Sequence, residues 1–436
     1  MNFYDREVEL DALEEIAKRA GRTACFTVMT GRRRVGKTAL ILKALEKTRC
    51  LYLFVTRSSE PVLCAQFQRQ AVETLGVPIF GNITRLCDLF EVLFTFAETH
   101  PFTLVVDEFQ DLARVNKAVF GEIQHIWDKH KDTAKINFIV CGSVHSLMKR
   151  LFEDDKEPLF GRMTARIPLS PFQIRTMKAI LRDHSPEYTP DDLLCLYLLT
   201  GGVAHYIGLL MDAGAMTRDA MLSFVTSPGS PFLGEGRDLL ISEFGRDYGI
   251  YFSILQLIAA GKNSQSEIDS VIGKNTGAYL ARLDAEYSLV EKNKPLFSKP
   301  ESRNARWMIV DNQLRFWFRF IFPNQMLLET GKHALLLSHI KAQYERYSGW
   351  LLEKYFRQKF AEEETWTRVG NHWDRRGENE IDLIALDDFR KQAVVAEVKR
   401  NARKIDKAAL KAKTDTLGTE LSGFRTENRA LSLADM

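Results

Sequence analysis

The sequence predicts an α/β protein: a doubly wound parallel sheet, then a helical region, then a second and smaller α/β domain. Two observations carry this. Residues 1–150 alternate short apolar runs with amphipathic helical stretches, and 340–436 combines one helix with several strand patterns. Strands separated by helices cross over to parallel neighbours, so the first segment reads as a parallel sheet covered on both faces. With 436 residues, the chain is long enough for two to four domains. Its 45% hydrophobic and 27% charged residues exclude wholesale disorder. The balance of 60 Lys+Arg against 57 Asp+Glu leaves a net charge of +3, which neither demands nor excludes nucleic acid.

The first four strands are CFTVM (25–29), LYLFV (51–55), FTLVV (102–106) and INFIV (136–140), with ALILKALEK (39–47) and AVFGEIQHIWDKH (118–130) as intervening helices. Residues 171–240 read as a helical lid ending in the linker-like SPGSPFLGEG (227–236). Three helices follow: YGIYFSILQLIAAG, the capped SQSEIDSVIG, and TGAYLARLDAEYSL, opened by Asn275 and Thr276. With the two-stranded pattern VEKNKPLFSKPESRNARWMIV they have the order of a winged helix-turn-helix over 241–325. Residues 326–436 hold the helix YERYSGWLLEKYFRQKF, several strands and a basic helical tail. Boundaries therefore fall at 1–170, 171–240, 241–325 and 326–436. Scattered cysteines and an amino terminus without an apolar signal core predict a reduced, cytoplasmic protein. The most hydrophobic stretch, RFWFRFIFPNQMLL (315–328), is broken by Arg319 and Pro323 and too short to span a bilayer, so no membrane partner is expected.

GRRRVGKT (31–38) matches the phosphate-binding pattern G-x-x-x-x-G-K-[ST], placed between a strand and a helix. Gly31 and Gly36 supply backbone angles closed to other residues, turning N–H groups onto phosphates at a helix amino terminus. Lys37 would reach the β- and γ-phosphates, and Thr38 would ligate Mg²⁺. FTLVVDEF (102–109) is a buried strand ending in two carboxylates: Asp107 for the Mg²⁺ shell and Glu108 to polarise the attacking water. Ser143, ending the 136–140 strand, is either a polar group beside the γ-phosphate or a turn residue. Arg162 either senses phosphate or binds a surface carboxylate. The cofactors expected are ATP and Mg²⁺.

FYDREVELDAL (3–13), GRRRVGKT, VVDEFQ, CGSVHS, PLFGR, IPLSPF (167–172) and LTGGVAHYI (199–207) run in order. Together they resemble the archaeal-type ATPase family, in the STAND group of P-loop NTPases. The resemblance implies that Tyr4 and Arg6 lie near adenine. Ala204 stands where the family usually has a proline, which leaves His205 a structural residue. A winged helix commonly follows the ATPase in this family. Its recognition helix here would be KNTGAYLARLDAEYSL, which shows Lys274 and Arg282 but also Asp284 and Glu286, few bases for DNA reading. The wing, with Lys292, Lys294, Lys299, Arg303 and Arg306, is more basic. DNA contact and an internal regulatory role are the two readings of this segment.

EIDLIALDDFRKQAVVAEVKR (380–400) is a hairpin pattern. Folded symmetrically about 389/390, it sets Asp382 opposite Glu397 and Glu380 opposite Lys399, with facing Cβ atoms ~5 Å apart. Glu397 and Lys399 share a face by period-2 alternation. A cross-strand salt bridge accounts for this spacing, and so does a cation site. The pattern also resembles the PD-(D/E)xK nuclease fold, with Glu353, Asp382, Glu397 and Lys399 in its four places and VGNHWD (369–374) nearby. That resemblance implies a C-terminal restriction-endonuclease-like domain in which Asp382 and Glu397 bind Mg²⁺ and Lys399 activates water. The seven bases of KRNARKIDKAALKAK (399–413) could track a phosphate backbone or form a solvated face. The reading is an ATP-hydrolysing switch coupled to a metal-dependent nuclease-like module acting on nucleic acid, DNA favoured. The alternative is a regulatory ATPase that binds DNA or a protein partner, its nuclease-like domain a non-catalytic scaffold. The sequence decides neither for nor against an oligomer.

Overall fold

Runs of β-branched and aromatic residues too apolar to face water on either side become central strands, and helices must then cover both faces. The computed structural model describes residues 2–244, 248–299, 301–302, 304–374 and 377–436. The chain divides into two units, Tyr4–Pro171 and Phe172–Met436, the first few residues clustering with the second.

The first unit contains β1 (Cys25–Thr30), β2 (Cys50–Phe54), β3 (Phe102–Asp107), β4 (Ile136–Cys141) and β5 (Ala165–Pro168). All are parallel, in the order β2-β3-β4-β1-β5. Side chains alternate between two cores. Phe26, Val28, Leu104, Val106, Phe138 and Val140 meet the helices Glu60–Leu75, Leu86–Ala97 and Val119–His130. Met29, Val105, Ile139 and Cys141 point the other way, onto Leu13, Leu40 and Ile41. The doubly wound sheet is as expected. In such sheets ligands bind beyond the carboxyl ends of the strands, and both sequence motifs lie there.

The second unit begins with helices Ile174–His184, Pro190–Thr200, Ala204–Asp212 and Arg218–Thr226. The expected linker over 227–236 is a correction: Pro231–Phe244 is a helix. Pro231 is tolerated as its first residue, where no N–H is needed. Gly236 serves packing, because a Cβ there would lie 2.4 Å from the Trp317 ring. Helices Tyr248–Ala259, Gln265–Ile272 and Gly277–Ala285 follow, then β6 (Val290–Asn293) antiparallel to β7 (Arg306–Ile309). Ser264 and Glu267 form a reciprocal capping box on the second of these helices. The aromatic stretch after β7, Asn312–Phe316 and a π-helical turn at Trp317–Ile321, is core, whereas the helix that follows, Gln325–Glu329, buries none of its residues. Among the described residues no helix is long and apolar enough to cross a membrane.

Helix His333–Ala361 leads to β8 (Arg368–Trp373), β9 (Glu380–Asp387), β10 (Gln392–Val398) and β11 (Arg425–Leu431). They form a mixed sheet in the order β11-β10-β9-β8. The long helix packs on Pro190–Thr200 and Arg218–Thr226 as well as on β8 and β9. The segments 171–240, 241–325 and 326–436 thus fall within one compact unit. The β6–β7 connection covers the edge of β8: Leu296 N–H donates to Asn371 O (2.9 Å), and Asn293 donates to the Asn371 side chain (3.1 Å).

Gly236→Ala should lower the stability of the second unit by ~1–3 kcal/mol through overpacking against Trp317. Thermal melts check this; an unchanged or raised midpoint would show that the helix shifts freely.

Candidate nucleotide site and carboxylate hairpin

The loop 31–36 leaves the carboxyl end of β1 and enters helix Lys37–Ala44. Gly31 has φ 148° and Gly36 φ 104°, and a Cβ on Gly31 would lie 2.5 Å from Leu169 O. Both positions therefore require glycine, as the motif does. Lys37 is buried, its ammonium donating to Gly31 O (2.8 Å) and Arg32 O (2.9 Å), inside the loop whose phosphates it would hold.

Asp107 ends β3 beside this loop. Its carboxylate accepts from Thr38 Oγ1 (3.3 Å), the Tyr52 hydroxyl, Cys141 Sγ (3.0 Å) and Glu108 N–H (2.9 Å). A hydroxyl and a carboxylate at one point suit a hard oxygen-seeking cation, so Thr38 and Asp107 fit Mg²⁺. Burial and the Asp107 carboxylate push the Tyr52 hydroxyl far up, so it stays a donor. Glu108 has φ 55°, a left-handed backbone uncommon outside glycine and often found at functional sites. Its carboxylate accepts from Gln110 Nε2 (2.6 Å) and from Ser143 Oγ (2.8 Å) and N–H (3.2 Å). Ser143 therefore meets Glu108, at the end of β4 where it was expected. Gly142 leaves room for Gln110, whose Oε1 would lie 1.9 Å from a Cβ there. Tyr52, Cys141 and Gln110 escaped the sequence reading: none was given a role there, strand order brings Tyr52 and Cys141 to Asp107, and the turn after β3 folds Gln110 back onto Glu108.

Arg6 is buried, with φ 84°, and donates to Ser170 O (2.7 Å) and Glu9 (3.1 Å). Ser170 follows Leu169, the residue against Gly31, so Arg6 flanks the loop; Tyr4, two residues earlier, is half-buried. Arg162 is a correction. It pairs with Asp128 (3.1 Å) in a cleft with Thr23, Ala24 and Thr164. That cleft lies at the amino end of β1, and ~3.3 Å per residue sets it a strand's length from the loop. Its surface-carboxylate reading fits; contact with phosphate held in this unit does not.

In the second unit β9 and β10 pair from Gln392↔Asp387 to Ala396↔Leu383. This is the symmetric register, and the next step sets Asp382 across from Glu397. Lys399 Nζ lies 3.5 Å from Asp382 Oδ2 and 3.4 Å from Glu397 Oε1, and Lys413 Nζ lies 3.7 Å from Glu397 Oε2. Val398 N–H also donates to Asp382 (2.8 Å). Glu380 departs from expectation: it pairs with Arg306, which stacks on Trp373 (4.5 Å), and not with Lys399. Arg306 is thereby engaged within its own unit, Arg282 is bound to Glu286 (2.8 Å), and Arg303 lies outside the described residues. Of the basic tail, Arg400 turns inward to Ser348 (2.7 Å) and Asp191 (2.9 Å), while Arg403, Lys404, Lys407 and Lys411 are exposed.

Glu353 joins this group from the long helix. Burial, then the Asp382 carboxylate, push its carboxyl up to about 8, against Arg357 and Lys399. Burial likewise pushes Asp382 up, against the Val398 N–H and Lys399. The four residues singled out in the sequence are therefore neighbours. Among the described residues no three carboxylate, histidine or cysteine side chains are arranged to hold a metal. The two carboxylates that meet here are Asp382 and Glu397, with the Lys399 ammonium between them.

A doubly wound parallel sheet with a phosphate loop after β1 and paired acids after β3 defines a P-loop ATPase domain. Family comparison agrees: the model of an ATPase domain found predominantly in Archaea matches residues 3–210. A second model, of archaeal and bacterial proteins of unknown function, matches residues 317–410. The uncharacterized protein MJECL04 of Methanocaldococcus jannaschii is 30% identical over 407 residues, covering 91% of this chain and 87% of that one. The uncharacterized protein MJ0424 of the same organism is 35% identical over 69 residues, covering 16% of this chain and 67% of its own. The Walker-type ATPase PABY2304 of Pyrococcus abyssi shares the fold, with a TM-score of 0.54 at 20% identity over 73% of this chain and 96% of that one. The chain belongs to the archaeal ATPase family.

A carboxyl with a higher folded than unfolded value binds its proton more tightly when folded, so stability falls as pH rises from 4.5 towards about 8. Glu353→Gln should remove that decline and raise the melting temperature at pH 8 more than at pH 4.5. Melts of both proteins across this range check it, and a parallel offset at every pH would contradict it.

Proposed function

We propose that the protein is an ATP-hydrolysing switch whose second unit handles nucleic acid through the carboxylate hairpin. The observation that supports the ATPase reading is the meeting of Thr38 and Asp107 (3.3 Å) beside Glu108. Gly31, Gly36 and Lys37 hold the phosphates, and Tyr4 and Arg6 flank the base. Thr38 and Asp107 hold Mg²⁺, which offsets charge on the β- and γ-phosphates when bound. Glu108 orients the attacking water and accepts its proton; Ser143 and Gln110 aim that carboxylate. Lys37→Ala should abolish ATP binding. Glu108→Gln should keep binding and slow hydrolysis by ~10²-fold or more, since only water activation is lost. Nucleotide titration and phosphate release separate the two, and equal loss of binding in both variants would make Glu108 structural.

For the hairpin, the supporting observation is the convergence of Asp382, Glu397 and Lys399 with Glu353 alongside. In this reading Asp382 and Glu397 hold a divalent cation, which polarises a phosphodiester when bound, and Lys399 offsets charge developing on the phosphate. A second reading, the non-catalytic scaffold, is favoured by the ammonium of Lys399 already lying between the two carboxylates. The β6–β7 element reads as the wing of a winged helix serving an internal role, since Arg306 is committed to β8 and β9. Asp382→Ala and Glu397→Ala should each lose a Mn²⁺-dependent rise in melting temperature together with cleavage of plasmid or single-stranded DNA. Lys399→Ala should keep the Mn²⁺ effect and lose cleavage. If Mn²⁺ leaves the wild-type melt unmoved and no nucleic acid is cut with or without ATP, the scaffold reading stands.

A further inference from the structure

Arg315 is a buried cation that the ATPase and the hairpin leave unexplained. It follows β7 in helix Asn312–Phe316 and is only 9% exposed. Its guanidinium lies flat on Trp350, 3.4 Å from the ring centroid. Stacking engages the face of a guanidinium and leaves its five N–H donors, which lie in the plane, still to be satisfied. Among the described residues no carboxylate forms an ion pair with it, and its Nε has no hydrogen-bond partner. The Tyr347 hydroxyl, buried on the Trp350 helix, lies against the Arg315 guanidinium and interacts with it, with no further partner. Burial lowers the affinity of Arg315 for its proton, as expected of a charge lacking a counterion.

The surroundings select the missing partner. Arg319, one turn on, adds a second positive charge and donates to Gln343 (2.9 Å). The intervening backbone is the π-helical turn Trp317–Ile321, a rare geometry frequent at functional sites. Glu353, three residues beyond Trp350, is the carboxylate whose field reaches Arg315, and it is itself pushed towards its neutral form. A buried guanidinium whose Nε has no partner, with Arg319 adding positive charge and no ionised carboxylate paired to it, matches an oxyanion.

We infer that Arg315 and Tyr347, backed by Trp350, form a binding site for a phosphate group beside the Glu353–Asp382–Glu397–Lys399 cluster. This deepens the nucleic-acid reading and rests on it only for the source of the phosphate, a backbone phosphodiester rather than free phosphate. The full-length chain is tested in two arms: thermal shift with inorganic phosphate, and fluorescence anisotropy with a short single-stranded DNA oligonucleotide. Wild type should be stabilised by phosphate and bind the oligonucleotide. Arg315→Gln should abolish the phosphate shift and weaken oligonucleotide binding about tenfold or more, and Tyr347→Phe should weaken both by a smaller factor. Tyr347→Phe keeps the packed ring, so it decides the matter if Arg315→Gln fails to fold. Oligonucleotide binding unchanged in the variants would overturn the site and leave the nucleic-acid reading intact. A phosphate shift that depends on Arg315, without oligonucleotide binding, would keep the anion site and overturn the nucleic-acid source. No response of wild type in either arm would overturn the inference, buried water then being the partner of these donors.

Discussion

The nucleotide-binding unit depends on satisfying one carboxylate. Asp107 is buried at the end of a central strand, where an uncompensated charge would be costly. Its hydrogen bonds come from the phosphate-loop helix (Thr38), β2 (Tyr52), β4 (Cys141) and the backbone that follows it (Glu108). β2 and β4 are the two strands flanking β3, so the sheet order is what supplies these donors. Strand order and the satisfaction of Asp107 are therefore one constraint: a change in strand order would leave the charge without its donors.

Glu108, next in the chain, is treated differently. Where Asp107 is surrounded by fixed strands, Glu108 sits on a left-handed residue at a strand-to-helix turn, aimed by Ser143 and Gln110. In the proposed ATPase the division suits their chemistry, since a cation shell would need fixed oxygens and water activation an aimed one. Gly142 makes the arrangement sterically open, because any side chain there would displace Gln110.

The second unit handles charge in another way. Asp382 and Glu397 share the ammonium of Lys399, Glu397 gains Lys413, and Glu353 is shifted towards its neutral form. Here compensation is built from long, rearrangeable lysines instead of strand-borne hydroxyls. The β6–β7 element closes the β8 edge, which would otherwise present unpaired backbone groups. Its Arg306 stacks on Trp373 and pairs with Glu380, which the hairpin register alone would have set against Lys399.

Local chemistry made much of this legible in advance. Gly31, Gly36 and Lys37 are dictated by backbone angles and phosphate charge, and the β9–β10 register follows from period-2 alternation about a polar turn. The parallel sheet was readable because apolar runs and helical periodicity alternate. Long-range contacts decided the rest. The glycines of 227–236 signal a linker until Trp317, far along the chain, fills the space over Gly236. Arg162 is set at the far end of β1 by strand pairing that no local pattern encodes. Tyr52 and Cys141 look like ordinary strand residues, and Arg315 like one base in an aromatic run. Only the tertiary structure sets two of them on Asp107 and buries the third without a counterion, because the partners of a buried polar group are chosen by packing across distant segments.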